Sequence, residues 1–103
     1  MPRNPNSTTT GGSFSLLTKL AVWGKGSVIL GHDTTEWRRD RCGAAIQYSK
    51  YGDTSSKHGW EIDHIFPVAA GGQDNLDNLQ PLQWSLNREK GDSLFWSCPV
   101  LQA

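Results

Sequence analysis

Cysteine is scarce in this chain: Cys42 and Cys98 are the only two among 103 residues, with no C-x-x-C pair. That scarcity excludes a disulfide scaffold and a four-thiolate zinc site, and both residues read as buried thiols. No apolar run approaches the roughly 18–20 residues that a membrane span needs. Residues 1–13, MPRNPNSTTTGGS, lack the apolar centre of a secretory signal. The expectation is a soluble protein, cytoplasmic in location and without a membrane partner. Net charge is missing too, 10 Lys and Arg standing against 10 Asp and Glu. Neutrality ordinarily counts against a nucleic-acid partner.

The neutral sum hides an asymmetry. Residues 1–35 carry +2, residues 36–60 carry +2 and residues 61–103 carry −4. Two solvated faces would give such a split, and so would a basic surface beside an acidic metal site. Hydrophobic residues make up 36% of the chain, and counting glycine with them brings the share into the ordinary globular range. Wholesale disorder is excluded. The length suits one domain, with a core small enough that stability should be modest.

Residues 1–13 are rich in Ser, Thr, Gly, Pro and Asn and read as a flexible tail, leaving 14–103 as the domain. Leu16, Leu17, Leu20 and Trp23 have helical spacing, with Ser13 or Ser15 available as N-cap. Val28–Leu30 is a short apolar run. Thr34 or Thr35 would cap a brief helix through Trp37 and Arg38 that ends near Gly43. Ala44–Tyr51 reads as a strand and Gly52–Ser56 as a turn. Trp60–Val68 reads as a second strand, its apolar residues alternating with Glu61, Asp63 and Pro67. A Gly-, Asp- and Asn-rich loop leads to a short strand, Leu79–Gln83. Ser85–Lys90 is helical, with Gly91 placed to end it.

The chemistry is concentrated in GWEIDHIFPVAAGGQDNLDNLQPLQWSLNREKGD, Gly59 to Asp92. Asp63 and His64 close one strand, and Asn87 follows 23 residues after His64, on a helix. A helix crossing the intervening hairpin would bring Asn87 opposite Asp63. A carboxylate and an amide oxygen are hard ligands, suited to Mg²⁺ or Mn²⁺. A neutral imidazole beside such an ion can remove a proton from a water attacking phosphorus. The groups describe metal-assisted phosphodiester hydrolysis. Neighbours on a regular strand point to opposite faces, so Asp63 and His64 share a site only where the strand twists, bulges or ends.

Three words in order, E-I-D-H-I-x-P (Glu61–Pro67), G-G-x-D-x-L-x-N-L-Q (Gly71–Gln80) and N-x-x-K-G-D (Asn87–Asp92), resemble the HNH endonucleases of the ββα-metal, or His-Me finger, group. With R-D-x-C-G at Arg39–Gly43 the resemblance covers about residues 36–92. It implies an α+β fold: a ββα-metal core with N-terminal helical segments and a β-hairpin. It implies that His64 is the general base, and that Asn78 braces the loop and orients it. Asp63 and Asn87 would hold one divalent ion, Mg²⁺ or Mn²⁺. The implied activity is endonucleolytic cleavage of DNA, double-stranded by expectation. One site should nick a single strand, and cutting both would take a dimer or two encounters. The rivals are a nucleic-acid-binding module without turnover and an RNase or toxin nuclease using the same site.

Other residues carry two readings each. Arg38, Arg39 and Arg41 would neutralise phosphates or pair with Asp40 or Glu36. Arg88 and Lys90 would reach the scissile region from the helix of Asn87. Glu61 is an ordinary strand residue or a water-mediated metal neighbour. His32 and His58 read as surface, and the five tryptophans as core rather than base-stacking platforms.

Many HNH proteins staple the fold with zinc held by two C-x-x-C pairs. This chain keeps only Cys42 at such a position and has Trp84 where a thiolate would stand, so tryptophan packing is expected to replace a structural zinc. The metal-free protein should therefore fold. A urea melt in chelator should show a cooperative transition; unfolded signal at every urea concentration would contradict this.

Overall fold

Trp60–His64 (β4) and Leu79–Gln83 (β5) pair antiparallel over five residues each, Trp60 opposite Gln83 and His64 opposite Leu79. Apolar and polar residues alternate along β4 as the sequence predicts, yet all five are buried. The polar face is covered by a helix, Trp84–Lys90 (α2). Gln83 caps that helix by accepting the amide hydrogens of Ser85 and Leu86, and Gly91 follows it at φ 51°. Strand, strand and helix in succession form the ββα unit, and the chain is α+β. A computed structural model describes residues 3–100.

The other elements precede this unit. Leu16–Trp23 (α1) starts on a Ser15 cap and lies against β5. Ser27–Val28 (β1), Trp37–Arg39 (β2) and Ala45–Gln47 (β3) form a second antiparallel sheet in that order. The predicted helix through Trp37 and Arg38 is thus a strand. Asp33 does begin a helix-like turn, its side chain accepting from Thr35 and its carbonyl from Glu36 and Trp37. Pairing on both sides, Arg38 opposite Val28 and Ile46, then takes the chain into the sheet. The strand predicted over Ala44–Tyr51 shortens to Ala45–Gln47, because Tyr48–Lys50 coils into a helical turn. The strand predicted to Val68 stops at His64, where the loop brace described below takes over the backbone bonds.

Aromatic packing fills the core. Trp60 is fully buried among Trp23, Tyr51 and Tyr48, at ring-centroid distances of 5.1, 4.8 and 6.1 Å. Its indole N–H donates to the Tyr48 carbonyl, and that of Trp23 to Thr34, so neither polar atom is stranded. Val22, Ile46, Ile62 and Leu79 complete the cluster. In α1 only Val22 and Trp23 are buried; Leu16, Leu17 and Leu20, which helical spacing places on one stripe, are exposed.

The cysteines depart from expectation: Cys42 and Cys98 form a disulfide rather than separate thiols. The fold returns the C-terminal segment to the loop of Asp40–Gly43, where Arg41 also stacks over Trp96 at 5.9 Å. Closing a loop of 56 residues lowers the entropy of the unfolded chain, worth about 4 kcal/mol. Asp40 ties the same loop to the ββα unit. It is 3% exposed; one carboxylate oxygen accepts from the amides of Cys42 and Ala44, the other from Gln83. The bracing expected of tryptophan alone is thus shared by Asp40, the disulfide and Trp84, whose indole donates to the Ser56 carbonyl.

Burial raises the Asp40 carboxyl above its ordinary pKa, against the pull of those three amides. Between the unfolded and folded pKa the native state holds a proton that the unfolded chain has released. Stability from this group therefore falls as pH rises through that window. Asp40→Asn turns an amide donor toward an N–H and should cost about 1–3 kcal/mol in urea melts. The gap between wild type and variant should narrow as pH climbs through the window; a gap independent of pH would contradict the assignment.

Candidate active site

α2 lies along β4 so that residues three apart on the helix meet residues two apart on the strand. Asn87 Nδ2 donates to Glu61 Oε1 at 2.9 Å, and Lys90 Nζ donates to Asp63 Oδ1 at 3.1 Å. Arg88 adds two bonds to the Glu61 carboxylate, at 3.2 and 2.9 Å. The arginine stays protonated all the more firmly for those bonds. Asp63 Oδ2 accepts from Gln80 Nε2, directly across the hairpin, and Lys90 also donates to the His64 carbonyl. Burial dominates at Asp63 and raises its pKa, opposed by the Gln80 and Lys90 contacts. An ammonium group against this carboxylate compensates a charge that would be costly to bury alone.

His64 lies at the end of β4, and the loop after it doubles back. Asn78 makes that turn: its Oδ1 accepts from the Phe66 amide, and its Nδ2 donates to the carbonyls of Phe66 and Gln73. Its own carbonyl accepts from Ile65. Gly72 passes so close to Phe66 that a Cβ there would sit 1.8 Å from the Phe66 carbonyl oxygen. The braced loop brings Asp74 to His64, with Oδ1 and Nε2 2.8 Å apart. Burial raises the Asp74 carboxyl, but hydrogen bonds from His64 and Thr9 outweigh it and hold the pKa below its ordinary value.

The stretch whose composition predicts a tail contributes as well. Thr9 donates to Asp74 through both its amide and its hydroxyl. Asn6, at φ 57°, accepts from the Ile62 amide and the Tyr51 hydroxyl through one oxygen. Ile62 faces Pro81 across the hairpin, so its N–H points outward, and Asn6 covers that open edge.

A cavity of about 220 Å³ collects these groups; Arg3, Asn6, Asp63, His64, Asn87 and Arg88 stand on its wall. The trio singled out in the sequence is thus brought together. β4 runs without a bulge to His64 and ends there, one of the conditions under which adjacent side chains can share a site. The other candidates lie differently. Arg38 donates to the carbonyls of Thr34, Gly24 and Gly26, and Arg39 to that of Gly43, rather than to Asp40 or Glu36. Arg39 and Arg41 line a separate cavity with Lys25. Lys90 is 4% exposed and engaged with Asp63, while the Arg88 side chain is half exposed. His58 is half-buried, Nδ1 lying 3.0 Å from the Ala45 carbonyl. Sequence reasoning left Asp74 and Gln80 without a role, although Asp74 is the fourth letter of the quoted G-G-x-D word.

Among the described residues no three His, Cys, Asp or Glu side chains gather into a metal-binding group. The oxygen donors on the cavity wall are instead the carboxylates of Asp63 and Asp92 and the carboxamides of Asn6 and Asn87, and Asp63 and Asn87 are the pair that the sequence singles out. That pair fits a hard ion such as Mg²⁺, which keeps most of its waters and takes only one or two protein oxygens.

No curated protein and no solved structure matches the chain. The family model of the HNH endonucleases matches residues 40–93, just over half of its length, and spans β3, the hairpin, the braced loop and α2. With the ββα unit and most of the cavity wall falling inside that span, the chain belongs to the HNH endonuclease family.

Proposed function

We propose that this protein is a metal-dependent endonuclease that hydrolyses DNA phosphodiester bonds. One observation carries the reading: Asp63, His64 and Asn87, from the two ends of a 25-residue stretch, line one cavity. Asp63 and Asn87 would hold Mg²⁺ or Mn²⁺. Such an ion, when bound, offsets charge developing on the phosphate oxygens. His64 takes the proton from the attacking water. Asn78 keeps the loop after His64 folded, and Arg88, anchored on Glu61 with half its side chain exposed, offers positive charge to the phosphate backbone. Residues on one wall of one cavity act on one strand at a time, so the reading is a nickase unless two copies meet on the duplex.

A second reading has support of its own. The Asp63 carboxylate is already satisfied by Lys90 and Gln80. That arrangement suits a nucleic-acid-binding module whose site is held by a protein cation. The Cys42–Cys98 disulfide bears on location, since such bonds persist where thiols are not kept reduced. It favours an oxidising compartment over the cytoplasm.

Incubation of supercoiled plasmid with Mg²⁺, Mn²⁺ or chelator is the test, with single-stranded DNA and RNA as parallel substrates. Metal-dependent nicking that His64→Ala lowers by about 10²–10⁴-fold is expected. Equal cleavage by both proteins would remove His64 from its role. Absence of cleavage under every condition would favour the binding module.

A further inference from the structure

An ionised carboxylate only accepts hydrogen bonds. Asp74 Oδ1 lies 2.8 Å from His64 Nε2, so in a neutral ring the proton must sit on Nε2. Nδ1 is then the nitrogen with a free lone pair. The ring's hydrogen bond among the described residues is made by Nε2, and since no buried side-chain nitrogen or oxygen there is left unpaired, Nδ1 is open to solvent. Asp74 is itself held from its other side. The Thr9 amide lies 3.2 Å from both carboxylate oxygens, and the Thr9 hydroxyl donates to Oδ2 at 3.0 Å. Phe14 packs beside the imidazole, with ring centroids 6.0 Å apart. His64 is therefore oriented by two segments far apart in sequence: the loop carrying Asp74 and the stretch carrying Thr9 and Phe14.

We propose that Asp74, anchored by Thr9, is a positioning residue that fixes His64 as the Nε2–H tautomer and leaves Nδ1 to receive the proton from water. The proposal rests on the nuclease reading for the purpose of that proton transfer, but the tautomer belongs to the protein alone. Its consequence for substitution is specific. In Asp74→Asn the two Thr9 donors hold the amide oxygen, which turns the NH₂ group toward His64. Nε2 must then accept, the ring proton moves to Nδ1, and the base loses its lone pair. A carboxylate partner to histidine elsewhere shows the same logic, where the amide swap costs about 10⁴-fold through the wrong tautomer.

The experiment pairs long-range ¹H–¹⁵N NMR of the imidazoles, at a pH where they are neutral, with plasmid nicking in Mg²⁺. Wild type should show His64 as the Nε2–H form, and Asp74→Asn should show the Nδ1–H form. Nicking by Asp74→Asn should fall at least about 10²-fold in kcat with little change in KM. Asp74→Glu should keep the wild-type tautomer and recover part of the rate. Thr9→Val, which removes one of the donors, should give an Asp74→Asn protein that reverts partly toward the Nε2–H form. Should Asp74→Asn not fold, wild type and Asp74→Glu still decide the tautomer. His64 found as Nδ1–H in wild type, or unchanged in a folded Asp74→Asn, would overturn the proposal. Cleavage lost in His64→Ala but indifferent to Asp74 would overturn it while leaving the nuclease reading intact. The predicted tautomer switch without cleavage by any variant would support the positioning role and defeat the nuclease reading.

Discussion

Two buried carboxylates on one face of β4 set the register of the helix that crosses them. Glu61 is 2% exposed and Asp63 5%, and each meets a donor from α2. Sliding α2 along the strand, or rotating it, would strand both charges in a poorly solvated place, which costs several kcal/mol per ion. The helix is thereby held where Asn87 faces the cavity with Asp63 and His64. A short helix of seven residues has little apolar area with which to do this, since only Leu86 among its apolar residues is buried. Polar pairing supplies the register that packing alone would leave loose.

The same reasoning explains why the cavity wall comes from separate stretches of chain. β4 contributes Asp63 and His64, α2 contributes Asn87 and Arg88, and the first residues contribute Arg3 and Asn6. Asn78 holds the intervening loop by three side-chain bonds, so Asp74 meets His64 without any regular structure to carry it. On the far side, Asp40 and the Cys42–Cys98 bond fasten the preceding sheet and the C-terminal segment to the start of α2. A buried carboxylate and a covalent bond thus close these segments onto the ββα unit.

Much of the ββα unit was legible beforehand. β5 runs from Leu79 to Gln83 as the pattern predicts, and α2 differs from prediction by one residue. Those segments carry local signals: a loop rich in Gly, Asp and Asn that runs to Asn78, and a glycine placed to end the helix. Trp37–Arg39 was misread as helix because Thr and Asp there do form a local turn, and only pairing with β1 and β3 makes the next residues a strand. The α1 stripe was legible as a helix, but not that Trp23 would enter the core while Leu16, Leu17 and Leu20 stay exposed, since spacing reports which residues share a face and not whether anything covers it. Residues 3–12 look featureless because the contacts that tie them to the domain reach groups distant in sequence, such as Asn6 to Ile62 and Tyr51 and Thr9 to Asp74.

The sequence by itself determined the kinds of group available: a carboxylate beside an imidazole, a loop with Asn at its close, and a second amide on a helix. It also determined the family, because those residue types recur in order at short spacings that need no folding to be read. Only the tertiary structure decided the partners: Asp74 for His64, Glu61 for Asn87, Lys90 for Asp63 and Cys98 for Cys42. Each of those pairs spans ten residues or more, and a hydrogen bond or disulfide forms only within a few ångströms. Local pattern can propose the members of such a pair, but proximity is a property of the folded chain.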